Sequence, residues 1–143
     1  MAKELYFQDI NVGDQVPVLV KGPVKHMQLV KYAGASGDFN PLHVDPEVGK
    51  AVGIGGQISH GMLVMGFVGQ AITNWVPKKH LRKFSVRFVG MTRLDDTVTV
   101  TGKVTDKKQE GGNNVIRCEV FARNQKDELL VAGSFEASLP DKK

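Results

Sequence analysis

The order of hydrophobic patterns predicts an α+β fold. Helical spacing dominates the first half of the chain, a charge-free stretch runs from Ala51 to Pro77, and the second half alternates apolar and polar residues in segments separated by polar turns. The 143 residues suit one domain, taken as residues 1–143, with room for a real core.

Taken in order, Gln15 to Val20 reads as a first strand. The segment HMQLVKYAGASGD spaces Met27, Leu29, Val30 and Ala33 at near-helical intervals and stops at Gly37, so a short helix delivers the chain to a loop. Asp45-Pro46-Glu47 opens a second short helix, with Asp45 as N-cap and proline at the first helical position, where its missing N–H costs nothing. From Gly61 to Val76, GMLVMGFVGQAITNWV is apolar almost all round, which predicts a helix buried on every side. Glycines in that run cost up to about 1 kcal/mol each in helix propensity, so burial must hold it. Gly61, Gly66 and Gly69 are expected to let strands approach its backbone closely. Then KFSVRFV, DDTVTVTGKV, NNVIRCEVFAR and ELLVAGSFEAS alternate with period two. Ile116, Cys118, Val120 and Ala122 share one face, and Val98, Val100 and Gly102 oppose Thr97, Thr99 and Thr101. These strands, with the first, predict an antiparallel sheet curled around the central helix, the arrangement called a hot-dog fold.

Composition excludes several classes of function. The single cysteine, Cys118, rules out an intramolecular disulfide framework and fits a reducing compartment, so a cytoplasmic location is expected. MAKELYFQDI has charges and no apolar core of a secretory signal. The charge-free stretch is not read as a membrane span, because glycines and polar residues, among them Gln70, Thr73 and Asn74, interrupt any run of roughly 20 apolar residues. The net charge of +4 comes from 19 basic and 15 acidic residues interspersed, which does not call for nucleic acid. The sharpest local excess, Lys78, Lys79, His80, Arg82 and Lys83, is either a solvated turn or a meeting place for coenzyme A phosphates or an acidic carrier protein.

The chemistry concentrates in SGDFNPLH, Ser36 to His43, where a carboxylate, an amide and an imidazole fall in one segment that Pro41 keeps from being a continuous helix. Addition of water to a double bond conjugated to a thioester needs one group to take a proton from water and another to give one to the α carbon. Asp38 and His43 can be that pair, and the Asn40 amide can hold water or substrate. The spacing alone is also compatible with an Asx turn before proline. In ISHGML, Ser59 is expected to N-cap the buried helix, and the N–H of Gly61 in its first turn lacks an intrahelical partner. With the helix dipole behind it, that donor suits an oxygen gaining negative charge. The spacing of Asp38, His43, Asp45 and His60 matches no metal-ligand pattern, and no metal or cofactor is expected.

SGDFNPLHVD followed by ISHGML resembles the hydratase-2 motif of the MaoC-like family, which includes R-specific enoyl-CoA hydratases and 3-hydroxyacyl thioester dehydratases. Within it, YAGASGDFNPLHVD and TNWV are similar to the catalytic B-type subunits of mycobacterial (3R)-hydroxyacyl-acyl-carrier-protein dehydratases. The resemblance implies that Asp38 and His43 are the catalytic dyad, that Asn40 assists, and that the Gly61 amide polarises the thioester carbonyl. Ser59 and His60, which precede Gly61, are then expected to bind substrate. Gly69 and Ile72 fall where the family limits acyl-chain length, and glycine there leaves room for medium-length chains. The family also implies an acyl-CoA or acyl-carrier-protein substrate and a homodimer or higher homo-oligomer, with a heterodimer with a paralogue as the alternative. Two rivals stay open, an acyl-CoA thioesterase of the same fold and a non-catalytic acyl-binding subunit.

Overall fold

The computed structural model describes residues 2–143; Met1, the first residue of the expected domain, lies outside the described residues. Five strands, β1 (Gln15–Lys21), β2 (Leu81–Phe88), β3 (Val98–Glu110), β4 (Asn113–Arg123) and β5 (Leu129–Ser138), form one sheet in the order β1-β3-β4-β5-β2. All neighbouring pairs are antiparallel. Three helices, α1 (His26–Ser36), α2 (Pro46–Ala51) and α3 (Gly61–Trp75), precede β2. Period-two alternation turns Val98, Val100 and Val104 of β3 and Ile116, Cys118, Val120 and Ala122 of β4 into a common core. Against it lie Val64, Phe67, Val68, Ala71 and Ile72 of α3. This is the hot-dog arrangement, with α3 held in the curve of the sheet. Burial of the Cys118 thiol pushes its pKa up to about 12.

Three expectations need correction. First, α3 is not buried on every side: Gly61, Met62, Gly66, Gln70 and Asn74 are exposed, and the buried residues recur at helical spacing on one face. A five-stranded open sheet covers one side of a helix and leaves the other bare. For the same reason Gly66 has no neighbour within 4 Å of where a Cβ would stand, whereas Gly61 abuts the Phe88 ring and Gly69 the Phe84 ring. Second, β3 continues past Val104 to Glu110 through a register shift between Val104 and Asp106. Beyond that bulge the strand loses its alternation of burial and becomes largely exposed, so no apolar pattern announced it. Third, Ser59 does not cap α3; the N-cap position is His60, with no side-chain cap, and the Ser59 hydroxyl donates to the His60 carbonyl at 3.1 Å.

The other helix signals act as read. Gly37 ends α1 in the left-handed conformation, φ 76°, its N–H donating to the Ala33 carbonyl. Asp45 caps α2 by accepting from the Glu47 N–H at 2.9 Å. Among the described residues no helix is long and apolar enough to cross a membrane. The basic cluster is largely engaged within the chain: Lys79 and His80 pair with Glu4, and Lys83 with Glu136. Hydrogen bonds from His80 and then Lys79 hold the Glu4 carboxyl below its ordinary value. This cluster follows the C-terminal end of α3, a 15-residue helix, and so lies roughly 20 Å along the helix from Gly61.

Candidate active site

Two polar segments meet at the N-terminus of α3. The first is the loop from Ser36 to His43. Asn40 accepts from the Leu42 N–H at 3.1 Å and so caps the single 3-10 turn Pro41–His43. Its side-chain oxygen therefore shapes the turn, and its NH2 is left to meet a ligand. Asp38 accepts from the Asn40 N–H at 3.3 Å and is exposed. The turn aims the His43 ring back towards Asp38, with Nε2 at 3.7 Å from the carboxylate oxygen Oδ2.

The tautomer of His43 follows from its other nitrogen. Nδ1 lies 2.9 Å from the Ile58 carbonyl oxygen, which can only accept, so Nδ1 carries hydrogen and the unprotonated ring presents the lone pair of Nε2 to Asp38. The 3.7 Å gap exceeds a direct hydrogen bond and allows one water oxygen to sit about 2.8 Å from both groups. The His43 side chain is 12% exposed and that of Asp38 50%, so the pair has one largely buried and one solvent-facing member.

Ile58, Ser59, His60 and Gly61 form the second segment. Ser59 is pinned through its N–H to the Thr92 carbonyl at 2.7 Å. No side chain among the described residues caps α3, so its first-turn N–H groups are available to a ligand, backed by the positive end of the helix dipole. Gly61 and His43 line one cleft of about 180 Å3 with Ile58, Ser59, Val64, Phe88 and Met91. A Cβ at Gly61 would stand 3.2 Å from Cε1 of Phe88, so the helix start and that ring form one tight wall. Typical small-molecule sites run to about 300–1,000 Å3. This cleft encloses only a reacting group, and the rest of a substrate must cross its half-exposed rim of Phe88 and Met91.

The expected substrate-binding positions divide. Ser59 lines the cleft and His60 does not: it is 1% exposed and turned to the Asp38 main chain. Gly69 and Ile72 are also outside it. Ile72 is fully buried in the core, and Gly69 lies under the ring of Phe84. Phe84 is thus the neighbour that a chain passing Gly69 would meet, its Cε2 standing 3.5 Å from where a Cβ would be. Sequence reasoning missed Gln57, a buried side chain that donates to the His43 carbonyl and faces His26 Nδ1 at 3.0 Å, fixing the turn from below. It also missed Phe84, Phe88 and Tyr32, whose ring meets His60 at 4.7 Å.

Asp38, His43 and His60 bring potential ligand atoms within 4.8 Å of one another. The two imidazoles are stacked, centroids 3.9 Å apart and planes 26° from parallel. Rings so arranged cannot both aim an in-plane lone pair at one ion, which disfavours a metal shared by the two histidines.

Residues 10–123 match the model of a MaoC like domain, a span that contains the Asp38–His43 loop and the start of α3. The chain belongs to this family. Among its relatives is the (R)-specific enoyl-CoA hydratase of Rhodospirillum rubrum, 34% identical over 110 residues, covering 72% of this chain and 74% of that one. The fatty acid synthase subunit beta of Gibberella zeae is 31% identical over 116 residues. That match covers 79% of this chain but 6% of the synthase subunit, so the MaoC-like domain corresponds to a small part of such relatives. Among solved structures, the (R)-hydratase from A. caviae involved in PHA biosynthesis superimposes with a TM-score of 0.82 at 26% identity, covering 93% of this chain and 99% of that one.

Proposed function

We propose that this MaoC-like protein catalyses the reversible hydration of trans-2-enoyl thioesters to (R)-3-hydroxyacyl thioesters. The observation that carries the reading is the Asp38 carboxylate facing His43 Nε2 at 3.7 Å, with His43 in the cleft walled by the uncapped N-terminus of α3. Its relationship to an (R)-specific enoyl-CoA hydratase supports the substrate class.

In the hydration direction a water held between Asp38 and His43 attacks the β carbon. Its oxygen forms the new C–O bond while its proton passes to one member of the pair. The double-bond electrons shift toward the thioester carbonyl, whose oxygen gains negative charge and accepts from the Gly61 N–H. The water's proton, held by the pair, is then delivered to the α carbon on the same face, so that one water supplies both the hydroxyl and the hydrogen and Asp38 and His43 return to their starting states. General acid–base catalysis of this kind contributes about 10²–10⁴-fold, and one preorganised donor about 10²–10³-fold. Asn40, through its NH2, holds the water or substrate. All these side chains lie in the single domain expected over residues 1–143.

The carrier is coenzyme A or an acyl carrier protein. A homodimer is proposed as the working state, supported by the half-exposed Met62, Phe88 and Met91 and the bare face of α3; sedimentation equilibrium would distinguish it from a monomer or from dependence on a paralogue. A cytoplasmic location belongs to the same proposal, supported by a free, buried thiol.

The test is loss of the enoyl-thioester absorbance of crotonyl-CoA and trans-2-octenoyl-CoA, with chiral analysis of the product. Formation of the (R)-3-hydroxyacyl thioester, abolished by Asp38→Asn and by His43→Ala, is the expected result. Release of free coenzyme A without hydration would convert the reading to a thioesterase. Binding without turnover of either carrier's thioester would make the chain an acyl-binding subunit.

A further inference from the structure

His60 is a buried titratable side chain for which the proposed mechanism has no use. It immediately precedes α3 but does not cap it. At 1% exposed it lies outside the cleft. Its Nε2 is 3.0 Å from the main-chain carbonyl oxygen of Asp38, so Nε2 carries hydrogen and Nδ1 is the bare nitrogen. Among the described residues that buried Nδ1 has no hydrogen-bond partner. An unpaired buried acceptor is destabilising, and a side chain present only to fill the space would be apolar.

The ring is instead engaged by two aromatic neighbours. It stacks on His43 with centroids 3.9 Å apart, and Tyr32 meets it edge to face at 4.7 Å and 63°. Among the described residues, the bond to His60 is the one long-range hydrogen bond made by residues 36–40, which otherwise bond within four positions of themselves. One imidazole thus touches both members of the dyad, the first through its main chain and the second through its ring.

We propose that His60 is a positioning residue that sets the separation of Asp38 and His43 and the plane of the His43 ring, acting through these two groups without touching substrate. The inference rests on the hydratase reading for its kinetic consequence and on geometry alone for its spectroscopic one. Misplacing a reacting group by about 1 Å costs on the order of 10²-fold in rate, and an interaction made through the dyad affects kcat rather than KM.

Three variants separate the two contacts. H60L removes both, H60F keeps a ring to stack but no donor, and H60Q keeps an N–H donor near the place of Nε2. With melting temperature and circular dichroism confirming folding, H60L is expected to lower kcat about 100-fold with KM within about 3-fold. H60Q should recover at least about ten-fold of that loss, and H60F should stay below H60Q. If H60L does not fold, H60F against H60Q carries the same comparison. A wild-type kcat in H60L or H60F, or a raised KM at unchanged kcat, would overturn the proposal, the latter marking a direct substrate contact. Nitrogen-15 spectra of the imidazoles provide the test that needs no turnover. Wild-type His43 should show one tautomer, with hydrogen on Nδ1, and H60L (H60F if H60L does not fold) a mixture. A His43 spectrum unchanged by the substitution overturns positioning whatever the activity, whereas absence of wild-type turnover with the expected spectra overturns the hydratase reading alone.

Discussion

Replacing Gly61 by alanine separates the helix-terminal N–H from the space in front of it. The new Cβ would lie 3.2, 3.3 and 3.5 Å from Cε1, Cδ1 and Cζ of Phe88, a few tenths of an ångström too close. Phe88 is 51% exposed and can swing outward, and alanine is favoured over glycine in a helix by up to about 1 kcal/mol. The two effects oppose, so stability should change by less than about 1 kcal/mol. The active site has no such freedom. The methyl group and the displaced ring both stand in the wall of the cleft, where a thioester oxygen would have to come within about 2.9 Å of the Gly61 nitrogen. Loss of one such donor costs about 2.7–4 kcal/mol in the transition state, or 10²–10³-fold in kcat. The assay pairs chemical denaturation with initial rates of crotonyl-CoA hydration. Near-native stability with kcat reduced at least about 100-fold is expected. A variant of native stability with kcat within about 3-fold of wild type would refute the role of this N–H.

Asp38→Asn should abolish hydration by about 10²–10⁴-fold, yet change stability by no more than about 0.5 kcal/mol, because Asp38 is exposed and asparagine can still accept from the Asn40 N–H; parallel rate and melting measurements check both halves. Phe84→Ala should uncover Gly69 and raise the ratio of octenoyl-CoA to crotonyl-CoA turnover, measured as kcat/KM, with no gain expected if the chain runs elsewhere. The Cys118 thiol is raised from 9.0 to about 12 by burial, so the folded state disfavours the thiolate. Its contribution to stability is complete below pH 9 and is lost as pH rises from there towards 12. By pH 10.5 the loss is about 2 kcal/mol; urea midpoints at pH 8 and 10.5 should therefore fall further in wild type than in C118A.

Strands with one buried face were legible because alternation is written directly into them: every apolar residue from Ile116 to Ala122 on the inner face is fully buried. The end of β3 was not, since Lys107 to Glu110 pair with β4 through main-chain bonds and one polar side-chain contact, Gln109 to Asn114, and offer no apolar signal. The bare face of α3 was misread for the opposite reason. A helix apolar all round can be covered by its own sheet or by something else, and composition does not distinguish them. Met62 and Gly66 keep the apolar and small character of a packed helix while facing outward, which is the surface a second chain would use in the proposed dimer.

Within the site, Asp38, Asn40, His43 and Gly61 could be picked out because each belongs to a compact motif. The supporting residues could not, because their partners are distant in sequence: Gln57 reaches the carbonyl of His43, and His60 that of Asp38. A weaker signal was nevertheless present. Gln57, Ser59 and His60 crowd polar atoms into a stretch without a single charge, immediately before an apolar helix. Buried polar groups require partners, and the glycines and apolar residues beside them offer only main chain. The nearest other concentration of polar groups is the loop at residues 36–43. In the structure the two segments do satisfy each other, His60 at the Asp38 carbonyl and Gln57 at that of His43, although the sequence does not specify those pairings. The pairing with Asp38 moves His60 from the expected substrate surface to the layer behind the dyad.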